Sequence, residues 1–169
     1  MESKRVKRAI VTPDKHFPLQ DQRAINAVCK AIELIKPNIY IDLGDTGEWE
    51  LFSSHYWKSL DRPPDHMLIP MLDDSVDEVN KCIDQIDQSL DKVKCKERHF
   101  IQGNHEVWLD NFAKKETRPR FLTENALQLK ARGYKYHPYF RKVPLKIGKL
   151  NFTHGHRTGM HHAKAHLNM

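Results

Sequence analysis

Gly103-Asn104-His105-Glu106 lies between the apolar pair Phe100-Ile101 and a run that reads as helix from about Glu106. The apolar pair reads as a short strand. The glycine after it permits a tight turn, which lets Asn104 and His105 face one opening at the strand's exit. Three further junctions have the same form. Asp14-Lys15-His16 follows Ala9-Ile10-Val11, Gly44-Asp45 follows Ile39-Tyr40-Ile41, and Thr153-His154-Gly155 follows Leu150-Asn151-Phe152. Each strand therefore delivers Asp, Asn or His where it ends.

The segments between these junctions say how they meet. Residues 6–12 read as a strand, stopped by Pro13 just before Asp14. Asp14 and His16, two residues apart on an extended exit, point to the same side and can share one metal ion. Residues 21–35 read as a helix with Asp21 as N-cap and an apolar stripe of Ile25, Val28, Ile32 and Ile35, ended by Pro37. A helix between two buried strands is a βαβ unit, so the strands run parallel and Asp14 and Asp45 arrive at one sheet edge. In open sheets of this kind that carboxyl edge is where ligands bind.

Residues 46–74 read as irregular. Their aromatics Trp49, Phe52, Tyr56 and Trp57 suit the small core of a lid, or stacking on a base or sugar. Val76, Val79, Ile83, Ile86, Leu90 and Val93 then recur at alternating steps of three and four, the narrow seam of a long amphipathic helix. That seam fits packing on the domain itself, or a homodimer through residues 76–93. Thr123 reads as the N-cap of a helix closed by Gly133. Residues 134–139, 143–147 and 150–153 follow as strands of a second sheet, the last two joined by a Gly148-Lys149 hairpin turn.

This set of junctions resembles the calcineurin-like metallophosphoesterase family, whose pattern is Asp-x-His, Gly-Asp, Gly-Asn-His-Asp/Glu, a further His and Gly-His-x-His. The order matches from Asp14 to His154, and the residues after His154 spell no Gly-His-x-His. The resemblance implies an α/β fold of two mixed sheets in a sandwich flanked by helices, in one domain spanning residues 1–169. It implies two divalent metal ions. Asp14, His16 and Asp45 hold one, and Asp45, Asn104 and His154 hold the other, with Asp45 as the bridge. His105 resembles the family's proton donor, and Glu106 starts the next helix, where it can orient His105 or add a ligand. Without the last motif each ion lacks one histidine, which His156 or another of His161, His162 and His166 would have to supply. The chain thus reads as one ending before the family's final strands, with weakened metal affinity and low activity on its own.

Oxygen and nitrogen ligands without thiolate favour Mn²⁺ first, then Fe²⁺, Zn²⁺ or Mg²⁺. The chemistry implied is hydrolysis of phosphodiesters, nucleic acid or nucleotide among them, by a hydroxide bridging two metals. Two alternatives accompany it: a phosphomonoesterase for a small molecule or phosphoprotein, and an inactive scaffold of the same fold that binds a protein partner.

Composition sets the outer bounds. The chain has 169 residues, 39% of them hydrophobic, enough for one buried core. Its formal charge of +6 and pI near 9.2 suit a polyanionic substrate or a solvated lysine-rich surface. Cys29, Cys82 and Cys95, odd in number and widely spaced, suggest reduced thiols. No apolar run approaches the roughly 20 residues of a bilayer crossing, and the first eight residues lack a signal-peptide core, so a cytoplasmic protein is expected.

Overall fold

Four short strands, β1 (Ala9–Thr12), β2 (Ile39–Asp42), β3 (Glu97–Ile101) and β4 (Tyr134–His137), form one parallel sheet in the order β1-β2-β3-β4. The computed structural model describes residues 7–58, 60–138 and 143–155. Each crossover between neighbouring strands carries helix: α1 (Gln22–Ile35), α2 (Asp65–Lys92), then α3 (Asn104–Lys115) with the single turn α4 (Thr123–Ala126). Strands β5 (Leu145–Ile147) and β6 (Leu150–Phe152) form a separate antiparallel hairpin around Gly148. The fold is mixed α/β, and no helix of the described residues is long and apolar enough to cross a membrane.

Period-two alternation divides the sheet into two faces. Tyr40 and Phe100 join the helices in the main core, with Ile25 and Ile32 of α1, Leu68 to Leu90 of α2 and Leu109 of α3. Ile39, Ile41 and Ile101 point the other way, and Leu145, Ile147 and Phe152 of the hairpin cover them. The sheet thus has helices on one face and a β-hairpin on the other.

Helix α1 begins where the sequence places it. The Asp21 carboxylate accepts from the Arg23 amide at 2.8 Å, satisfying one of the donors left open at a helix start. Along the α2 seam, Val79, Ile83, Ile86 and Leu90 are buried, with Val76 and Val93 packed at the margin of the same core. The domain itself consumes this stripe, which leaves it no face for the homodimer through residues 76–93.

Three expectations change. Helix α2 starts at Asp65, within the stretch read as irregular, and runs through Pro70 because Leu68 and Leu72 are fully buried on either side of it. Burial of about 1.5–3 kcal/mol per such side chain offsets most of the cost of an internal proline. The helix expected from Thr123 to Gly133 is one turn long. Thr123 directs its amide and hydroxyl to Asp110 at 2.8 and 2.9 Å, and Gln128 takes a left-handed φ of 52° that ends the helical run. Strand β4 belongs to the parallel sheet beside β3 and not to a second sheet with β5 and β6. The helical connection through α3 and α4 returns the chain in the same direction, as a parallel pair requires.

Candidate metal centre

The exits of β1 and β2 stay hydrogen-bonded past the ends of the strands. The Asp14 amide donates to the Gly44 carbonyl at 3.1 Å, the His16 amide to Asp45 at 3.0 Å, and the Phe17 amide to Thr46 at 2.8 Å. Asp14, His16 and Asp45 have φ of 45°, 46° and 47°, the left-handed region that non-glycine residues seldom occupy. Such backbone persists only where its surroundings hold it, and it clusters at functional sites. Between Asp14 and His16, Lys15 turns inward, and its ammonium meets the buried Asp42 carboxylate at 2.7 Å.

The β3 exit closes on the same point. Gly44 and Gly103 lie back to back: a Cβ on Gly44 would sit 2.3 Å from the Gly103 amide nitrogen, and one on Gly103 would sit 2.2 Å from Asp45 Oδ1. Only glycine allows this approach. Helix α3 then starts against Asp45, and the His105 amide donates to Asp45 Oδ1 at 2.8 Å, placing a carboxylate at the positive end of the helix.

His154 arrives from the hairpin. Its Nδ1 lies 2.8 Å from the Leu43 carbonyl, while its Nε2 lies 2.9 Å from Asn104 Oδ1 and 3.3 Å from Asp45 Oδ2. Burial would raise the Asp45 carboxyl, but its bonds from His154 and the His105 amide outweigh that and hold it below its ordinary value. Burial would lower the His154 ring, but the Asp45 carboxylate outweighs it and raises the ring above the usual histidine range. Asp14 offers an oxygen to the same cluster: ligand atoms of Asp14, Asp45 and His154 lie within 4.8 Å of one another. The junctions at Asp14, Asp45, Asn104 and His154 therefore converge at one rim of the sheet.

A second cluster adjoins the first. His16 Nδ1 lies 2.8 Å from one oxygen of Glu48, and His105 Nδ1 lies 3.3 Å from the other. The His16 and His105 rings meet edge to face at 4.7 Å. Glu48 is a residue that sequence reasoning missed. Its signal was a carboxylate three residues beyond Asp45 in the same loop, inside the stretch read as irregular. The structure groups His16 with Glu48 and His105, whereas the sequence paired it with Asp14.

Glu106 has a different place from a ligand's. It is fully buried, and five N–H groups surround its carboxylate: the amides of Asp45 (2.8 Å), Thr46 (2.8 Å), Gly47 (3.4 Å) and Gly103 (2.9 Å), and the Trp49 indole (3.2 Å). Burial and the Asp45 charge raise its pKa against the pull of these amides. With both oxygens so engaged, Glu106 pins the β2 and β3 exits together. This corrects its reading as an additional metal ligand. His156, His161, His162 and His166 lie outside the described residues.

The aromatics of the β2–α2 connection divide in two. Trp49 and Phe52 are buried core, while Trp57 is half-buried and lines a cavity together with Trp108. Cys29, Cys82 and Cys95 are free thiols. Comparison of the chain with protein-family models, with curated proteins and with solved structures gives no match.

Proposed function

We propose that the chain is a metal-dependent phosphoesterase acting on phosphodiesters, built on the calcineurin-like metallophosphoesterase pattern. The observation that carries this reading is the meeting of Asp14, Asp45, Asn104 and His154 at the sheet's carboxyl edge, beside His16, Glu48 and His105.

The donor set fits a divalent cation. His154 Nε2 faces two acceptor oxygens, an arrangement that a proton or a cation satisfies, and the Leu43 carbonyl fixes the ring from the other side. Asp14, Asp45, Asn104 and His154 would hold one ion. His16, with Nδ1 engaged by Glu48, would offer Nε2 to a second. Oxygen and imidazole ligands without thiolate suit Mn²⁺, with Fe²⁺, Zn²⁺ and Mg²⁺ behind it. When bound, such ions reduce the repulsion between phosphoryl oxygens and an attacking anion and lower the pKa of water.

The chain's own residues supply the rest. The left-handed backbone at Asp14, His16 and Asp45 turns their side chains toward the rim, and Glu106 fixes the loop that carries Asp45. His105 is held between the edge of His16, the Trp108 ring at 4.1 Å and the Glu48 carboxylate on its Nδ1 side. That leaves Nε2 as the edge from which a proton can pass to the departing oxygen, the role of a general acid. The net positive charge of the chain raises the local concentration of anionic substrates.

The test is Mn²⁺-dependent hydrolysis of bis(4-nitrophenyl) phosphate, with 4-nitrophenyl phosphate alongside. Diester turnover abolished by Asp45→Asn and strongly reduced by His105→Ala is the expected result. Preference for the monoester would move the assignment to a phosphomonoesterase, and an inert protein that binds no metal would mark it as a scaffold.

A further inference from the structure

A cavity of about 380 Å³ opens next to the metal centre, lined by Leu51, Phe52, Trp57, Trp108, Asn111 and Lys115 among others. Trp108 joins the two: it lines the cavity, and its ring lies over His105 at 4.1 Å with a tilt of 32°. The cavity therefore begins on the side of the residue that would protonate the leaving group. A diester held at the rim would direct its departing alcohol that way.

The walls describe that alcohol. Two indoles give broad π surface, and the Trp57 ring is fixed by its Nε1–H donating to the Leu51 carbonyl at 2.9 Å. Asn111, Ser53 and Ser54 add polar groups to the lining, with the Ser53 hydroxyl accepting from the His55 amide at 3.1 Å. Arg62 is matched by Glu116 and Asp65, each at 3.4 Å, whereas Lys115 has no ion-pair partner among the described residues. A flat π-system with polar edges beside an ammonium that makes no ion pair among the described residues suits a nucleobase with a phosphate nearby, and the volume lies in the range of small-molecule pockets.

We infer that this cavity is a nucleobase subsite, so that the leaving group of the phosphodiester is a nucleoside whose base stacks on Trp57 and Trp108 and whose next phosphate meets Lys115. The leaving-group assignment rests on the hydrolase reading above; binding of the base does not.

The two are separated by calorimetric titration of the full chain, with chelator present, using adenosine 5′-monophosphate and ribose 5-phosphate. The nucleotide should bind and the sugar phosphate should not. Trp57→Ala should weaken nucleotide binding by roughly 5- to 150-fold, the loss expected for one stacked base, and Trp57→Phe should recover part of it. Lys115→Ala should weaken it too, while leaving the preference for the base intact. Equal affinity for the two probes, or unchanged affinity in Trp57→Ala, overturns the subsite even if diester hydrolysis is found. Base-dependent binding in a protein with no diesterase activity upholds the subsite and removes the hydrolase reading alone.

Discussion

Replacing Glu106 with alanine removes the acceptor on which the β2 and β3 exits close. The side chain is fully buried, and three of its donors, the amides of Asp45, Thr46 and Gly103, lie at 2.8 to 2.9 Å. A buried donor left without a partner costs about 1–3 kcal/mol, so these three put the loss at about 3–9 kcal/mol before the Trp49 indole is considered. Domains are stable by about 5–15 kcal/mol, so Glu106→Ala should be close to unfolded at room temperature. Glu106→Gln keeps one carbonyl oxygen but presents an NH₂ to the other donors, and a loss of about 2–4 kcal/mol is expected. Urea unfolding followed by far-ultraviolet circular dichroism measures both. A Glu106→Ala protein within about 1 kcal/mol of the wild type would refute the claim that this carboxylate is the anchor of the site.

Three further outcomes test neighbouring parts of the account. In Gly103→Ala the new methyl would lie 2.2 Å from Asp45 Oδ1 and 2.4 Å from its amide nitrogen, so Asp45 must move. Mn²⁺ affinity by calorimetry should fall roughly 10- to 100-fold, and an unchanged affinity would show that Asp45 is not a ligand. Lys15→Met strands the buried Asp42 carboxylate, and denaturant unfolding should register a loss of about 3–5 kcal/mol. His99 and His137 face each other with ring nitrogens 2.9 Å apart. Burial lowers the pKa of both; the Glu97 carboxylate pulls His99 the other way, while Lys135 adds to the lowering. The unfolded chain therefore takes up protons first as the pH falls below about 6.5, and stability drops from there toward the lowered folded values. His154, raised, acts in the opposite sense. A His99→Gln/His137→Gln variant should lose less stability than the wild type between pH 7.5 and pH 5.5, and an identical profile would contradict the assignment.

Much of the site was legible because local signals and topology agreed. Short apolar runs ending in Pro13-Asp14, Gly44-Asp45 and Gly103-Asn104 read as strands, and a capped helix between the first two forces a parallel pair. That alone brings Asp14 and Asp45 to one edge. What escaped depended on contacts between distant segments. Glu48 looks like any loop carboxylate until the loop folds back on His16 and His105. Glu106 sits in a helix's first turn, where a carboxylate commonly faces the dipole, and only the β2 exit turns it into a fully occupied acceptor. Pro70 lies in the stretch that reads as irregular, yet Leu68 and Leu72 on either side of it are buried deeply enough to carry the helix through. The residues of Tyr134–His137 suit either sheet, and the strand pairs with β3 because the crossover before it decides its partner. Thr123 has the composition of a cap, but its hydrogen bonds go to Asp110 and to the Glu106 carbonyl.

The most direct measurement is anomalous scattering at the manganese edge from crystals grown with Mn²⁺. The account predicts a peak among Asp14, Asp45, Asn104 and His154, with a second beside His16. Peaks confined to surface carboxylates, or His154 still bonded to Asn104 with no density between them, would contradict it.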